Sequence, residues 1–435
     1  MAQLDGHFIR LVLMSPESLF MLLFARLQTA LSTRLFRRAP DTLSRAELDR
    51  MSKRIILPSL PVTDEELARA AFQDRGQKLA RQEDWLTLAR EIAQADAART
   101  GTPGGETAAM LLAYGARGDV VAAAEDALHD GKPPVQDGLA ALEEIATEAA
   151  ETADGPNAYP CALIVALAHM DVGLAWQAAP RSRALGDTPD RARQSHHHFT
   201  RASELLAPFC AKTLGAPSLA AAQCALLAGQ MVTERQVADK YEALVRLDQA
   251  SPRHLRALGR ALLPECGGSH AGLDLEARRM VALTRAHWGA GAYAWVYLDA
   301  MSLDPGCVAR LDPVFFGDAL RDVLSRCPDQ HVANLLSACL AAALRDETIA
   351  PDIRKELTAL LEWALANHLR ELHPLVWTQA LHRPDTGVAL PSRGALLRLG
   401  RRAALGTIAQ VFADKLADGS SIAFSPAGMY RLPNI

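Results

Sequence analysis

The chain has 435 residues, with 46 Lys and Arg against 50 Asp and Glu and a formal net charge of −4. Hydrophobic residues make up 49% of the chain but aromatic residues only 5%, and about 80 positions are alanine. This composition excludes a disordered chain, a collagen-like chain and a disulfide-rich scaffold, and is typical of a mostly helical protein. The near-neutral charge disfavours a strongly basic nucleic-acid binder, so no nucleic-acid partner is expected.

Cysteine usage and hydropathy bear on compartment and cofactors. The seven cysteines are scattered singly, without a Cys-x-x-Cys pair, so neither a disulfide framework nor a four-thiolate zinc site is predicted. No stretch is expected to reach the roughly 20 apolar residues of a membrane-spanning helix, and no secretory signal is indicated. We therefore expect a cytoplasmic protein without a metal or other cofactor.

Charge divides the sequence unevenly. Residues 1–60 carry 9 Lys and Arg against 5 Asp and Glu, residues 61–155 carry 8 against 19, and the remainder is nearly balanced. We predict a basic amphipathic N-terminal segment over 1–60, an acidic helical-hairpin segment over 61–155, a main helical-repeat body over 156–385, and a C-terminal helix with an irregular tail over 386–435.

The N-terminal segment has the pattern of an amphipathic helix. Ser15 and Pro16 form a helix start, apolar residues then recur at three- and four-residue spacing, and Arg26, Arg34 and Arg37 supply charge. One interpretation is a terminal helix packed on its neighbour. The other is weak contact of residues 8–38 with an anionic membrane surface, at the inner face of the membrane.

Helix signals follow in the acidic segment. Thr63 before three acidic residues predicts a helix start, and apolar spacing predicts a second helix over 84–98. Two short helices are expected over 106–114 and 120–128, joined by a turn at Gly115-Ala-Arg-Gly-Asp. An aromatic residue late in the first helix, Gly-Asp at the turn and an Ala-rich second helix resemble a tetratricopeptide-type repeat. That resemblance implies an all-α fold of stacked antiparallel helix pairs, a degenerate α-solenoid.

Further helix starts occur in the body. Thr188, Ser251, Asp312 and Ala350 each precede a proline, which is the residue favoured at the first helical position. The consecutive histidines 196–198 are expected to begin a solvated helix. A last helix is predicted over 393–416 and an irregular tail over 418–435.

The region 254–299 holds the most unusual side chains of the sequence. Four of the chain's 23 aromatic residues fall between 288 and 297, which indicates a local hub that is either core or binding groove. The Leu-Pro-x-x-Gly-Gly-Ser string at 263–269 resembles a Pro-Arg-Trp-Gly-Gly-Ser motif of bacterial helical-repeat proteins of unknown function. Only the proline, the two glycines and the serine match, so no role carries over to Glu265 or Cys266. The two glycines favour a tight turn between helices.

The chemical alternatives in this region are a metal site or a nucleophile and base pair. Cys266, His270 and His287 are suitable residue types, but their spacing supplies no further ligand and no carboxylate to orient a base. The candidate hub or partner-binding residues are His254, Glu265, Cys266, Gly267, Gly268, His270, Trp288, Tyr293 and Trp295.

Three functions remain from the sequence. The leading expectation is a non-catalytic helical-repeat scaffold that binds a peptide or partner protein. The acidic segment predicts a basic partner, with Glu143 and Glu144 as its candidate contacts. The alternatives are a metal-dependent or thiol enzyme centred on 254–299, and a peripheral membrane protein attached through its N-terminal helix.

Overall fold

The structure is a computed structural model that describes residues 44–60, 62–135, 137–152, 158–179, 184–186, 188–227, 232–381 and 392–433. The amphipathic helix predicted over 8–38 lies outside the described residues. Contacts group the described chain into two units. Unit 1 comprises Asp64–Ser269, and unit 2 comprises residues 44–63 with 270–433. These two units differ from the four consecutive segments predicted from charge, because each unit is defined by contacts and unit 2 joins two stretches that are distant in sequence.

Unit 1 is built from helices. Its long helices are α2 (Asp64–Arg81), α3 (Trp85–Ala98), α4 (Ala108–His129), α5 (Asp137–Thr152), α6 (Tyr159–Ala178) and α7 (Thr188–Leu206). Its shorter helices are α8 (Ala211–Leu214), α9 (Pro217–Leu226), α10 (Glu234–Leu247), α11 (Pro252–Ala261) and a 3₁₀ turn at Pro264–Cys266.

Helix α6 is the core of unit 1. It packs against α3, α4, α5, α7 and α9, so protein surrounds it on nearly every side. Among the described residues it is the one helix with the length and mean hydropathy, 1.5, of a membrane span, and 89% of its apolar window is buried in the protein. The expectation that no stretch reaches this length was therefore wrong. Burial by five helices explains an apolar helix of this kind without a lipid environment.

The hairpin predicted at 106–128 was also wrong. Residues 108–129 form one continuous helix, α4, and the Gly115-to-Asp119 string lies in its middle. Gly115 is buried against α2, where a Cβ would stand 1.9 Å from the backbone oxygen of Gln73. This glycine therefore permits close helix packing rather than a turn.

Unit 2 combines helices with a small sheet. Its elements are α1 (Arg45–Ser52), β1 (Ile55–Ile56), α12 (His270–Trp288), α13 (Gly291–Leu303), a 3₁₀ helix (Pro305–Arg310), α14 (Pro313–Arg326), α15 (Gln330–Ala343), α16 (Pro351–His368), α17 (Pro374–Leu381), α18 (Arg393–Val411), α19 (Ala413–Leu416), β2 (Ser421–Ser425) and β3 (Gly428–Leu432). Helix α13 packs on α12, α14 and α15, and α18 packs on α17 and α1.

The predicted irregular tail is instead a β-hairpin. Strands β2 and β3 pair antiparallel, and β1, from far earlier in the chain, joins β2 in parallel. Ile55, Ile422 and Phe424 alternate inward and are buried. The described fold is thus mostly helical with one three-stranded sheet. The tail prediction failed because β2 pairs with a strand that lies more than 360 residues away in sequence.

Three of the four proline-marked helix starts are confirmed at the proline, and the fourth helix, α7, begins one residue earlier, at Thr188. Helices α11, α14 and α16 begin at Pro252, Pro313 and Pro351, with Ser251, Asp312 and Ala350 at the N-cap positions; of these three side chains, only that of Asp312 makes a capping hydrogen bond. Asp312 accepts a hydrogen bond from the Phe315 amide, as a helix cap should.

Candidate functional site

Three helices of unit 1 bring together a glutamate, two histidines and an arginine. Glu143 comes from α5, His169 from α6, and His198 and Arg201 from α7. The His169 Nε2 atom lies 2.7 Å from Glu143 Oε1, and the two histidine Nδ1 atoms are 3.0 Å apart. Arg201 donates from Nε to Glu143 Oε1 at 2.9 Å. We call these four residues the Glu-His-His-Arg cluster.

Local sequence explains how the two histidines meet. The buried face of α7 is formed by Ser195, His198, Ala202 and Leu206, which recur at three- and four-residue spacing. Opposite them, Gly173 of α6 lets α7 approach, because a Cβ there would meet the His198 Cβ at 3.3 Å. His169 lies one turn earlier on α6 and is buried. The close approach of α6 and α7 therefore sets the distance between the histidines.

The hydrogen bonds fix one consistent arrangement of protons. A carboxylate only accepts, so His169 donates from Nε2 to Glu143. Neutral His169 then accepts at Nδ1, and His198 donates from its own Nδ1. This leaves His198 Nε2 as a lone-pair acceptor that is buried and has no hydrogen-bond partner among the described residues.

Burial and neighbouring charge shift the pKa values of the cluster. Burial, helped by His169 and His197, lowers the pKa of His198 to about 4. Burial also lowers the pKa of His169, against the opposing hydrogen bond to Glu143. Burial alone would raise the pKa of Glu143, but hydrogen bonds from Arg201 and His169 outweigh it and lower that pKa. At neutral pH the cluster is therefore a carboxylate, two neutral imidazoles and a guanidinium.

The Glu-His-His-Arg cluster is better suited to holding three helices together than to catalysing a reaction. A carboxylate and imidazole pair can activate a nucleophile, but the Ser195 hydroxyl, on the same buried face of α7 as His198, accepts a hydrogen bond from Gln177 instead. The free nitrogen of His198 is itself buried, so a substrate has no route to it. The cluster joins α5, α6 and α7 through hydrogen bonds.

Part of this cluster is apparent from the sequence. Glu143 was a candidate for partner binding, and it is instead half-buried and bound to His169 and Arg201. Its neighbour Glu144 is exposed. The solvated helix start expected at 196–198 was wrong, because these residues lie inside α7 and His198 is buried. His169 was missed, although an ionisable residue within an apolar helix indicates a buried partner.

The hub residues of unit 1 form a turn. Pro264, Glu265 and Cys266 make a 3₁₀ turn that ends at Gly267, which has a φ of +84°. A Cβ at Gly268 would stand 2.2 Å from the backbone oxygen of Leu262. Both glycines are therefore needed for chain geometry. His254 is buried, with its Nε2 3.7 Å from an Asp248 carboxylate oxygen.

The hub residues of unit 2 are core rather than groove. Trp288, Tyr293 and Trp295 are buried, and the two tryptophan rings meet edge to face at 5.6 Å. The Tyr293 hydroxyl donates to Asp274 at 2.7 Å, which satisfies its polar end. His270, partly exposed, lies 2.7 Å from Asp304 through its Nε2.

The described part of the chain offers few candidate sites for a metal ion or a small molecule. There, no group of three or more His, Cys, Asp or Glu side chains is arranged to hold a metal ion. Cys266 and His270, the nearest candidates in sequence, belong to different units. A cavity of about 360 Å³ in unit 1 is lined partly by Trp176, Asp190 and Arg193, and the last two are paired with each other at 3.1 Å.

Comparisons of the chain with protein-family models, with curated proteins and with solved structures find no match.

Proposed function

We propose that the protein is a non-catalytic helical scaffold that binds a basic peptide or partner protein through α5. The helix carries five acidic residues and no Lys, Arg or His. Its apolar face is held by Leu139, Leu142 and Ala146 in a buried cluster with residues of α4 and α6. A helix fixed on one side and acidic on the other presents charge with little loss of conformational freedom on binding.

The single observation that carries the proposal is the contrast between two adjacent residues of α5. Glu143 is turned inward to Arg201 and His169, whereas Glu144 is exposed beyond the cluster. Asp137, at the start of the same helix, is also exposed. The acidic surface available to a partner is therefore centred on Asp137 and Glu144. Opposite charge there would raise the association rate and set specificity.

The proposed scaffold is a helical solenoid, and the packing of consecutive helices supports this. Consecutive helices pack on each other in both units, as in α3 on α4, α5 on α6, α12 on α13 and α15 on α16. That arrangement supports a degenerate, tetratricopeptide-like α-solenoid built from helix pairs. All seven cysteines are free thiols, which supports a reducing, cytoplasmic location.

Charge reversal tests the proposal. We expect affinity capture from native lysate to recover a partner with the wild-type protein and to lose it with Asp137→Lys/Glu144→Lys. The matched control is Glu347→Lys/Glu356→Lys, which reverses the same number of exposed charges in unit 2. Capture should also weaken as salt is raised, because exposed charges are screened. Equal capture by all three proteins across salt would contradict an α5 binding surface.

A further inference from the structure

Helix α18 of unit 2 presents a purely cationic face. It contains four arginines and no acidic residue. Arg398, Arg401 and Arg402 are exposed. They occupy positions i, i+3 and i+4, which lie on one side of a helix. None of these three has a carboxylate partner among the residues that the structure describes. Three unneutralised charges therefore lie together on this surface.

The opposite side of α18 is fixed against the protein. Leu396, Gly400 and Ala404 are buried there, and a Cβ at Gly400 would stand 1.8 Å from the backbone oxygen of Pro374. The Thr378 hydroxyl also donates to the Leu396 carbonyl at 2.9 Å. The helix cannot rotate about its axis without losing these contacts. The arginines consequently face outward.

The small sheet of unit 2 exposes an apolar row. Strand register puts Ile56, Ala423 and Tyr430 side by side across β1, β2 and β3. Ile56 is 54% exposed and Tyr430 is 47% exposed, and Leu432, two residues along β3 on the same face, is 41% exposed. Large apolar side chains gathered on one exposed face indicate an interaction site rather than random exposure.

The cationic helix and the sheet are connected through α1. Helix α1 packs on α18 and leads through Lys53 and Arg54 directly into β1. Arg54 donates to the Ser420 carbonyl just before β2, which ties this connection to the sheet. The sequence that enters α1, residues 8–38, repeats the same combination of arginines with Leu and Phe.

We propose that unit 2 binds an anionic lipid surface, with Arg398, Arg401 and Arg402 contacting headgroups and the row formed by Ile56, Tyr430 and Leu432 entering the interface. Cations beside exposed aliphatic and aromatic side chains match the two parts of a membrane interface, the charged headgroups and the acyl boundary. A nucleic-acid backbone would use the arginines alone and leave the apolar row in water. The lipid surface therefore accounts for both features.

Vesicle flotation with the full-length protein tests this assignment. The probes are vesicles of phosphatidylcholine alone and vesicles of phosphatidylcholine mixed equally with phosphatidylglycerol. We expect binding only to the anionic vesicles, and a loss of about a hundredfold or more in R398E/R401E/R402E, since each arginine near such a surface contributes about 1 kcal/mol. The matched control R90E/R193E/R235E reverses three exposed arginines of unit 1 and should bind like wild type.

A second variant separates lipid insertion from charge attraction. Ile56→Thr/Tyr430→Thr keeps β-favouring residues in both strands and should weaken binding to the same vesicles at high salt, where charge is screened. Circular dichroism melts confirm that the variants fold. Unchanged vesicle binding by R398E/R401E/R402E would overturn the proposal. So would arginine-dependent binding of a random-sequence DNA duplex without any vesicle binding, or wild-type vesicle binding by Ile56→Thr/Tyr430→Thr at high salt.

Discussion

Gly115 of α4 lies directly against the main chain of Gln73 in α2, so close that a Cβ on residue 115 would stand 1.9 Å from the Gln73 carbonyl oxygen. That distance is shorter than any real contact of a Cβ atom, so alanine at 115 would force the two helices apart. A few residues on, Gly118 has open space around its Cβ position. The same helix therefore holds one glycine required by packing and one that is not.

This contrast gives a matched pair of substitutions. Gly115→Ala should lower the free energy of unfolding by about 3 kcal/mol, because backbone atoms cannot move aside cheaply. Gly118→Ala should raise it by about 0.7 kcal/mol, since alanine reduces the entropy of the unfolded chain and favours helix. Urea denaturation measures both. Similar effects for the two variants would contradict the close packing of α2 on α4.

The adjacent glutamates of α5 should also differ in stability. Glu143→Lys removes the acceptor of His169 and Arg201 and adds a cation beside them, so we expect a loss of about 2 kcal/mol in unfolding free energy. Glu144→Lys changes an exposed residue and should alter stability by less than about 0.5 kcal/mol. Thermal melts distinguish the two, and equal melting temperatures would argue against the inward role of Glu143.

Acid should weaken unit 1 through His198. Its pKa is lowered to about 4 in the folded protein, from 6.5, so the unfolded chain binds more protons between these values. Stability therefore falls as pH is lowered through this window, by about 3 kcal/mol for a shift of this size. His169, whose pKa burial also lowers from 6.5, adds to the loss in this window, whereas Glu143, whose pKa is lowered from 4.5, adds to it only below about pH 4.5.

His198→Gln isolates this effect. The glutamine amide can still donate to His169 but does not titrate. The stability of the variant should consequently depend less on pH between 6.5 and 4 than that of wild type, as measured by urea denaturation at each pH. Parallel curves for the two proteins would show that His198 does not titrate in this way.

A buried ion pair joins α4 to α6. Arg117 Nε donates to Asp171 at 2.7 Å, and both side chains are almost completely buried. Asp171→Ala leaves the Arg117 charge buried without its partner and should cost about 4 kcal/mol of unfolding free energy. Arg117→Met/Asp171→Leu replaces both charges with apolar groups and should cost much less. If Arg117→Met/Asp171→Leu were as unstable as Asp171→Ala, the loss of stability in Asp171→Ala could not be explained by the unpaired charge of Arg117.

Local signals in the sequence predicted several helix starts correctly. Ser251, Asp312 and Ala350 before proline marked helix starts that the structure confirms, because a cap and a first-turn proline act within a few residues. The Gly267-Gly268 turn was expected on similar grounds. Local signals failed at Gly115, because glycine occurs both in turns and where two helices pack closely. The sequence suggested a turn, and only the contact with Gln73 of α2 shows that this glycine serves helix packing.

Local sequence patterns were enough to establish the helical class of this protein, several helix starts and the acidic and basic character of α5 and α18. Long-range packing decided which charges remain available, since Glu143 is bound internally while Glu144 is exposed. It also decided that His169 and His198 meet, and that residues 421–432 form strands. Caps and periodicity act between residues close in the chain, whereas these pairings join residues that are distant in it, and their energies depend on burial that exists only after folding.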